Sequence, residues 1–532
     1  MNKRLSMVFT ALVACFLVLA PLSLTAAELA KEQHIRISVP VRDFKSFDPA
    51  FATLTGEKTI VSEITNGLLR FPYGVVDLEK IEGDLAESWE TSADGLAWTF
   101  TLRKGVKWQK GFGEVTAEDV KFSIERVIDP ATGSPWHKKF TNIEAIEAID
   151  PLTVRFTLKE VDPFFTLKVI GYQGGQIIPK AAVEKYGRDI AFNPVGSGPF
   201  MFESYNKGQS VILKRNPDYF RGAPILETVE YVLMPDDSSR ILALQRGEID
   251  LGTGTRRREY AEKAKKMGLV LMPPDPPQQC IVMFNMKRKP LDNLLVRKAL
   301  AHGLDRGVFV DLMGAELGGA QISPVPPGYF GHLELGMEQY EYDPKLAKNL
   351  LTQAGYPNGF SLGDVNCSEA WSYLQPMKIV QEQWRQIGVA MNLKVVDHPT
   401  YHKLIRQDAN SIIIYGGVRL PIAETILHQF YHSASAIGKK TARTNFAHYG
   451  DVIPGIDEYL AKADATTNLE LKKYYYGMAQ LQILEDLPAY PVFLNRVSMT
   501  RQAWVDLGFP TDPYQTLYYV VEVSEKTRIL KH

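Results

Sequence analysis

The residues whose types and spacing could carry chemistry are few, and most of their patterns are incomplete. Gly252 and Gly254 follow a strand-like segment, but Arg257 stands where a dinucleotide fingerprint needs its third glycine. Gly438-Lys439-Lys440-Thr441 lacks the upstream glycine of a phosphate loop, and Gly196-Ser197-Gly198 is not a nucleophile elbow. No histidine pair has the H-E-x-x-H spacing of a zinc hydrolase, and Cys15, Cys280 and Cys367 form no metal-type cluster. Glu118 and Asp119 follow Thr116, where acids complete a capping box and favour the helix dipole, so they read as structural. One loop has binding chemistry. If Thr255 caps a helix, the free N–H groups behind it and Arg256 can hold an anion, although three adjacent arginines, Arg256 to Arg258, also suit a solvated face.

The elements that must position such residues alternate between two periods. Ile35, Ile37 and Val39; Trp98, Phe100 and Leu102; Val154, Phe156 and Leu158; and Val211 with Leu213 recur at every second residue, which predicts strands with one buried face. Between them the period becomes helical. Asp343 is placed to cap a helix from Pro344 that buries Leu346, Leu350 and Ala354 and stops at Gly355. Pro376 is expected to open another, with Val380, Trp384 and Ile387 on one face and Gly388 as terminator. A third is expected to bury Leu471, Tyr475, Met478 and Leu481. Interleaved strands and helices favour mixed sheets covered by helices.

Composition narrows the function. The chain has 532 residues, 45% hydrophobic and 23% charged, with 60 Lys and Arg against 61 Asp and Glu. Such a length supports roughly three domains at 100 to 200 residues each. A net charge of -1 removes the broad attraction for nucleic acid or anionic lipid. At the start, Lys3 and Arg4 precede an apolar run from Leu5 to Leu24, then Thr25, Ala26 and Ala27. This is the order of a cleaved secretory signal over residues 1–27, giving an exported protein. Two other readings stay open: an uncleaved helical anchor, and a lipoprotein box at Leu12-Val13-Ala14-Cys15. In an oxidising compartment Cys280 and Cys367 are free to pair or not.

Several longer runs have a recognisable order. LAESWETSADGLAWTFTLRKGVKW from Leu85, VTAEDVKFSIERVIDP from Val115, PVGSGPFMFESY from Pro194, KRNPDYFRGAP from Lys214, LQRGEIDL from Leu244, PLDNLLVRKALAHGLDR from Pro290 and YDPKLAKNLLTQAGYPNGF from Tyr342 together closely resemble the family 5 extracellular solute-binding proteins of bacterial ABC importers. The resemblance implies an α/β, two-lobed periplasmic-binding-protein fold of cluster C type, with a hinge and an extra N-terminal subdomain. It places the first lobe at 28–72, 195–275 and 488–532, the extra subdomain at 73–194 and the second lobe at 276–487. Closure of such lobes over a solute reports occupancy to a permease, because contacts to both lobes stabilise the closed state.

Peptide-binding members carry an aspartate on a second-lobe strand that pairs with the peptide's amino group. Anchored on ETILHQF from Glu424, the matching segment here is Tyr415-Gly416-Gly417-Val418-Arg419-Leu420-Pro421, and Arg419 falls where the aspartate is expected. A guanidinium there would repel an ammonium and favour a carboxylate, phosphate or sulfate. By the same resemblance Tyr415, Trp371 and Tyr401 lie in segments that face the cleft, Phe44 and Phe122 match positions that touch peptide in some members, and Gly417 would let a ligand approach the backbone.

The expectation is a monomeric, non-enzymatic binding protein without cofactor or metal, which passes a peptide-like or anionic solute to ABC permease subunits. The alternatives are a secreted hydrolase using the same cleft, and a sensor or chaperone that binds exported chains.

Overall fold

The computed structural model describes residues 28–334, 340–417, 420–518 and 520–532. The expected leader at 1–27 and Arg419 lie outside the described residues. The chain opens with strand β1 (His34–Val39) and helix α1 (Thr55–Ile64). It then builds a separate antiparallel sheet from β2 (Ala86–Thr91), β3 (Ala97–Leu102), β4 (Ile143–Asp150) and β5 (Thr153–Leu158), in the order β2-β3-β5-β4. Helix α2 (Ala117–Ile128) packs on this sheet. Phe100, Val154, Phe156 and Leu158 lie within its core, as the alternation predicts, and Gly95 and Gly105 adopt the positive φ that its flanking turns require.

The chain then returns through β6 (Phe200–Asn206), β7 (Ser210–Arg215), β8 (Thr228–Leu233), β9 (Leu251–Thr253), helix α3 (Arg258–Lys266) and β10 (Val270–Leu271). After a first passage at 272–277 it enters the second lobe. There lie β11 (Gln278–Phe284), β12 (Gly318–Ala320), α4 (Pro344–Gln353), β13 (Phe360–Ser368), α5 (Trp371–Gln386), β14 (Val389–Val396), α6 (His398–Arg406), β15 (Ile412–Gly417), α7 (Leu469–Asp486) and β16 (Ala489–Asn495). A second passage at 496–498 leads back to β17 (Met499–Arg501). The first lobe's sheet runs β6-β7-β8-β1-β9-β17-β10 and the second lobe's β12-β16-β11-β15. Each of the three parts has its own hydrophobic cluster.

The pairing corrects one expected boundary. Ala489–Asn495 pairs with Gln278–Phe284 and so belongs to the second lobe; the chain crosses back several residues later than 488. Local expectations also shift. Asp343 does cap α4, through the Lys345 and Leu346 amides, but Ala347 and Leu351 are buried while Leu346 is exposed. Pro376 sits inside α5, which begins at Trp371, while Val380 and Trp384 are fully buried as expected. In α7 the buried face carries Lys472, Tyr476, Gly477, Ala479, Gln480, Ile483 and Leu484, whereas Leu471 and Leu481 are exposed. That helix is apolar around most of its circumference, so periodicity alone cannot choose its inner face.

Candidate groove at the first-lobe switch point

In the first sheet β1 lies between β8 and β9 and is parallel to both. Chain leaving the carboxyl ends of such neighbours turns to opposite sides, which opens a crevice at that switch point. A groove of about 730 Å³ occupies this position. Val39, Pro40 and Val41 enter it from β1, Thr253, Gly254 and Arg256 from β9, Leu54 and Gly56 from the start of α1, and Val497 and Val520 from the returning chain. Its walls are mostly apolar, and Arg256 is the charged residue among those lining it.

The Arg256 loop is fixed by the second passage. Gly254 N–H donates to the Ser498 carbonyl at 2.7 Å, and the Ser498 amide and hydroxyl both donate to the Thr255 carbonyl. Arg256 Nη1 donates to the Asn495 carbonyl at 2.9 Å. The guanidinium is therefore held half-buried at the groove, next to the segment about which the lobes would turn. Thr255 does not cap the following helix: α3 begins at Arg258, its N-cap is Arg257, and Thr255 Oγ1 accepts only from the Arg257 amide. The expected helix-end anion site is thus displaced, and Arg256 bears the positive charge instead. Arg257 reaches the other lobe, with its guanidinium 5.8 Å from the Trp371 ring centroid.

The other expected site residues separate into two groups. Trp371 is half-buried at the first position of α5, and Gly417 is half-buried at the end of β15, an edge strand of its sheet. Tyr415 is 7% exposed and packs its ring near Phe430, Phe446 and His402. Tyr401 is fully buried and donates its hydroxyl to the Ile414 carbonyl at 2.6 Å, so no surface of it is left for a ligand; this corrects its expected role. Phe44 is likewise covered, packed against Phe47, Tyr205 and Gly56, and serves the core behind the groove. Phe122 is half-buried on α2 of the extra subdomain and is not among the groove-lining residues. One turn later Arg126 grips the buried Asp48 with two hydrogen bonds of 2.8 and 2.6 Å, which anchors the chain leaving β1 to the subdomain.

Leu54, Val497 and Val520 were missed by the sequence analysis because no local pattern marks residues that meet from such distant segments. A second omission was legible: His398 and His402 are four apart, and α6 brings their rings together behind Tyr415. Cys280 and Cys367, whose pairing the sequence left open, are both buried and both free. Burial pushes both thiols up, Cys367 to about 11.

Comparisons place this architecture among known proteins. Residues 80–437 match the family model described as "Bacterial extracellular solute-binding proteins, family 5 Middle". The chain is 29% identical over 481 residues to the glutathione-binding protein GsiB of Escherichia coli O1:K1 / APEC, covering 89% of this chain and 91% of that one. Among solved structures, MoaA from A.tumefacien R10 in complex with mannopinic acid is 34% identical, with a TM-score of 0.76, covering 94% of this chain and all of that chain. DppA from Helicobacter pylori in complex with the peptide STSA is 28% identical, with a TM-score of 0.71, covering 94% and 98%.

Proposed function

The chain belongs to the family 5 bacterial extracellular solute-binding proteins, and from that premise we propose that the groove at the switch point of its first lobe captures a small solute with an anionic group and an apolar body. The observation that carries this reading is Arg256, a fixed guanidinium in a groove whose described lining contains no carboxylate. A lining of that kind leaves the ammonium of an ordinary peptide without a partner, whereas a carboxylate, phosphate or sulfate gains charge-assisted hydrogen bonds. Arg419 falls in the sequence where the resemblance expects a peptide-pairing aspartate, and its charge has the same sign as that of Arg256. Relatives that bind glutathione and mannopinic acid support a compact, acidic, peptide-like or opine-like solute.

On this reading the chain acts without turnover, as a periplasmic monomer exported by its N-terminal signal. The ligand draws the lobes together, and the closed form is what an ABC permease selects. Among the described residues β15 is an edge strand, and its Gly416-Gly417 end offers a ligand with amide groups a place to pair with the backbone.

Native mass spectrometry of the purified mature protein, followed by mild denaturation and identification of the released small molecule, tests the proposal. An anionic compound is expected, and Arg256→Ala should weaken its rebinding at least tenfold. Recovery of ordinary peptides with free amino ends would overturn the anionic reading while keeping the transport role.

A further inference from the structure

Outside the groove, helix α6 builds a second constellation. His398 is its first residue and His402 lies four positions on, so both rings project from one face. Their Nε2 atoms are 3.1 Å apart and the rings stand at 90°. Two imidazole nitrogens can face each other at this distance only if a hydrogen or a cation lies between their lone pairs.

The neighbours assign the metal-free arrangement. His402 Nδ1 is buried without a hydrogen-bond partner, so a neutral His402 carries its hydrogen on Nε2 and donates it to His398 Nε2. His398 then carries its hydrogen on Nδ1, 2.8 Å from Ser368 Oγ, which also accepts from the Ala370 amide. Ser368 thereby orients the His398 ring and keeps its Nε2 lone pair pointed at His402, the part an outer hydrogen bond plays for a metal-binding imidazole.

We propose that His398 and His402 form a binding site for a borderline divalent transition metal ion of the copper, nickel or zinc kind. With metal–nitrogen bonds of about 2.0–2.1 Å, nitrogens 3.1 Å apart subtend about 98° at the ion, between the right angle of square-planar or octahedral sites and the tetrahedral angle. On binding, both Nε2 lone pairs must turn to the metal and the hydrogen between them must shift to His402 Nδ1, so each imidazole stays neutral; because Nδ1 is buried without a partner, that shift carries a cost that lowers the affinity. Among the described residues no group of three or more His, Cys, Asp or Glu surrounds a common point. A metal held there would therefore take its remaining ligands from water. Arg406, which donates to the His402 carbonyl, adds a positive charge that holds the affinity to a modest level. The site is independent of the groove's ligand, although His402 lies 5.9 Å from Tyr415, ring to ring.

Isothermal titration of tag-free protein with copper(II), nickel(II) and zinc(II) at neutral pH should show one-to-one binding that His398→Ala and His402→Ala each weaken at least tenfold. Unchanged affinity in both variants overturns the site. If either variant fails to fold, the copper(II) electron paramagnetic resonance spectrum of the wild-type protein decides. Coupling to two imidazole nitrogens is expected, and coordination by oxygen alone or by a single nitrogen overturns the proposal.

Discussion

Arg496 and Asp275 join the two chain passages between the lobes. Arg496 Nε and Nη2 both reach Asp275 Oδ1, at 2.8 and 2.7 Å, and the Asp275 backbone is held between the Tyr514 carbonyl and the Thr516 amide. Arg496 follows the last strand of the second lobe, and Asp275 precedes its first. One ion pair therefore spans the segment whose dihedral changes would let the lobes open. Its neighbour Asn495 accepts from Arg256, so the groove's charged loop and this tie share one short stretch of chain.

A double-mutant cycle of Arg496→Ala and Asp275→Ala should give a coupling of about 1 kcal/mol in denaturant unfolding, as for a partly buried pair that also orders backbone. Effects of the two substitutions that simply add would show that the pair contributes nothing.

The stability of the first lobe should depend on a buried acid. Glu63 is 1% exposed; its Oε1 accepts from the Tyr231 hydroxyl and the Val523 amide, while Oε2 has no partner. Burial raises its pKa to about 8, and that of nearby Glu522 to about 7. The folded chain thus holds protons that the unfolded chain releases near 4.5. Their contribution is complete below that pH and is lost as pH rises towards 8. Tm should fall from pH 5 to pH 8, and Glu63→Gln should flatten that fall and stabilise the protein at pH 8 by on the order of 2–4 kcal/mol. An identical slope in the variant would refute the assignment.

Asp119 should prove structural and costly to remove. Its Oδ2 accepts from the Thr116 amide and hydroxyl and from Trp108 Nε1, and its Oδ1 accepts from the Lys180 amide. Asp119→Ala should destabilise the protein by about 2–4 kcal/mol, because buried donors on three segments lose their acceptor. Chemical denaturation measures this, and a loss below about 0.5 kcal/mol would contradict it.

Gly254 tests how tightly the groove loop is packed. A Cβ there would stand 2.1 Å from the Tyr260 ring and 2.4 Å from Ser498 Oγ. Gly254→Ala should cost about 1–3 kcal/mol by overpacking, and should weaken ligand binding because the Arg256 loop must shift. Normal stability with normal binding would show that the loop yields freely.

The local sequence determined what depends on neighbours along the chain. Strand alternation placed Phe100, Phe156 and Leu213 inside, the Thr116 and Asp119 spacing marked a helix start, and the ordered runs from Leu85 to Phe360 identified the family. Local pattern failed where two faces of one helix are both apolar. It also failed where the role of a side chain depends on what the fold brings opposite to it: Tyr401 looked able to stack on a ligand and instead seals the Ile414 carbonyl, and Thr255 looked like a cap and is not one. Tertiary structure alone decided that Val39, Leu54, Arg256, Val497 and Val520 share one groove, and that two histidines on α6 meet at their Nε2 atoms. The physical reason is that periodicity and capping follow from interactions within a few residues, whereas a binding site is made by segments hundreds of residues apart, brought together by sheet pairing and by the two passages between the lobes.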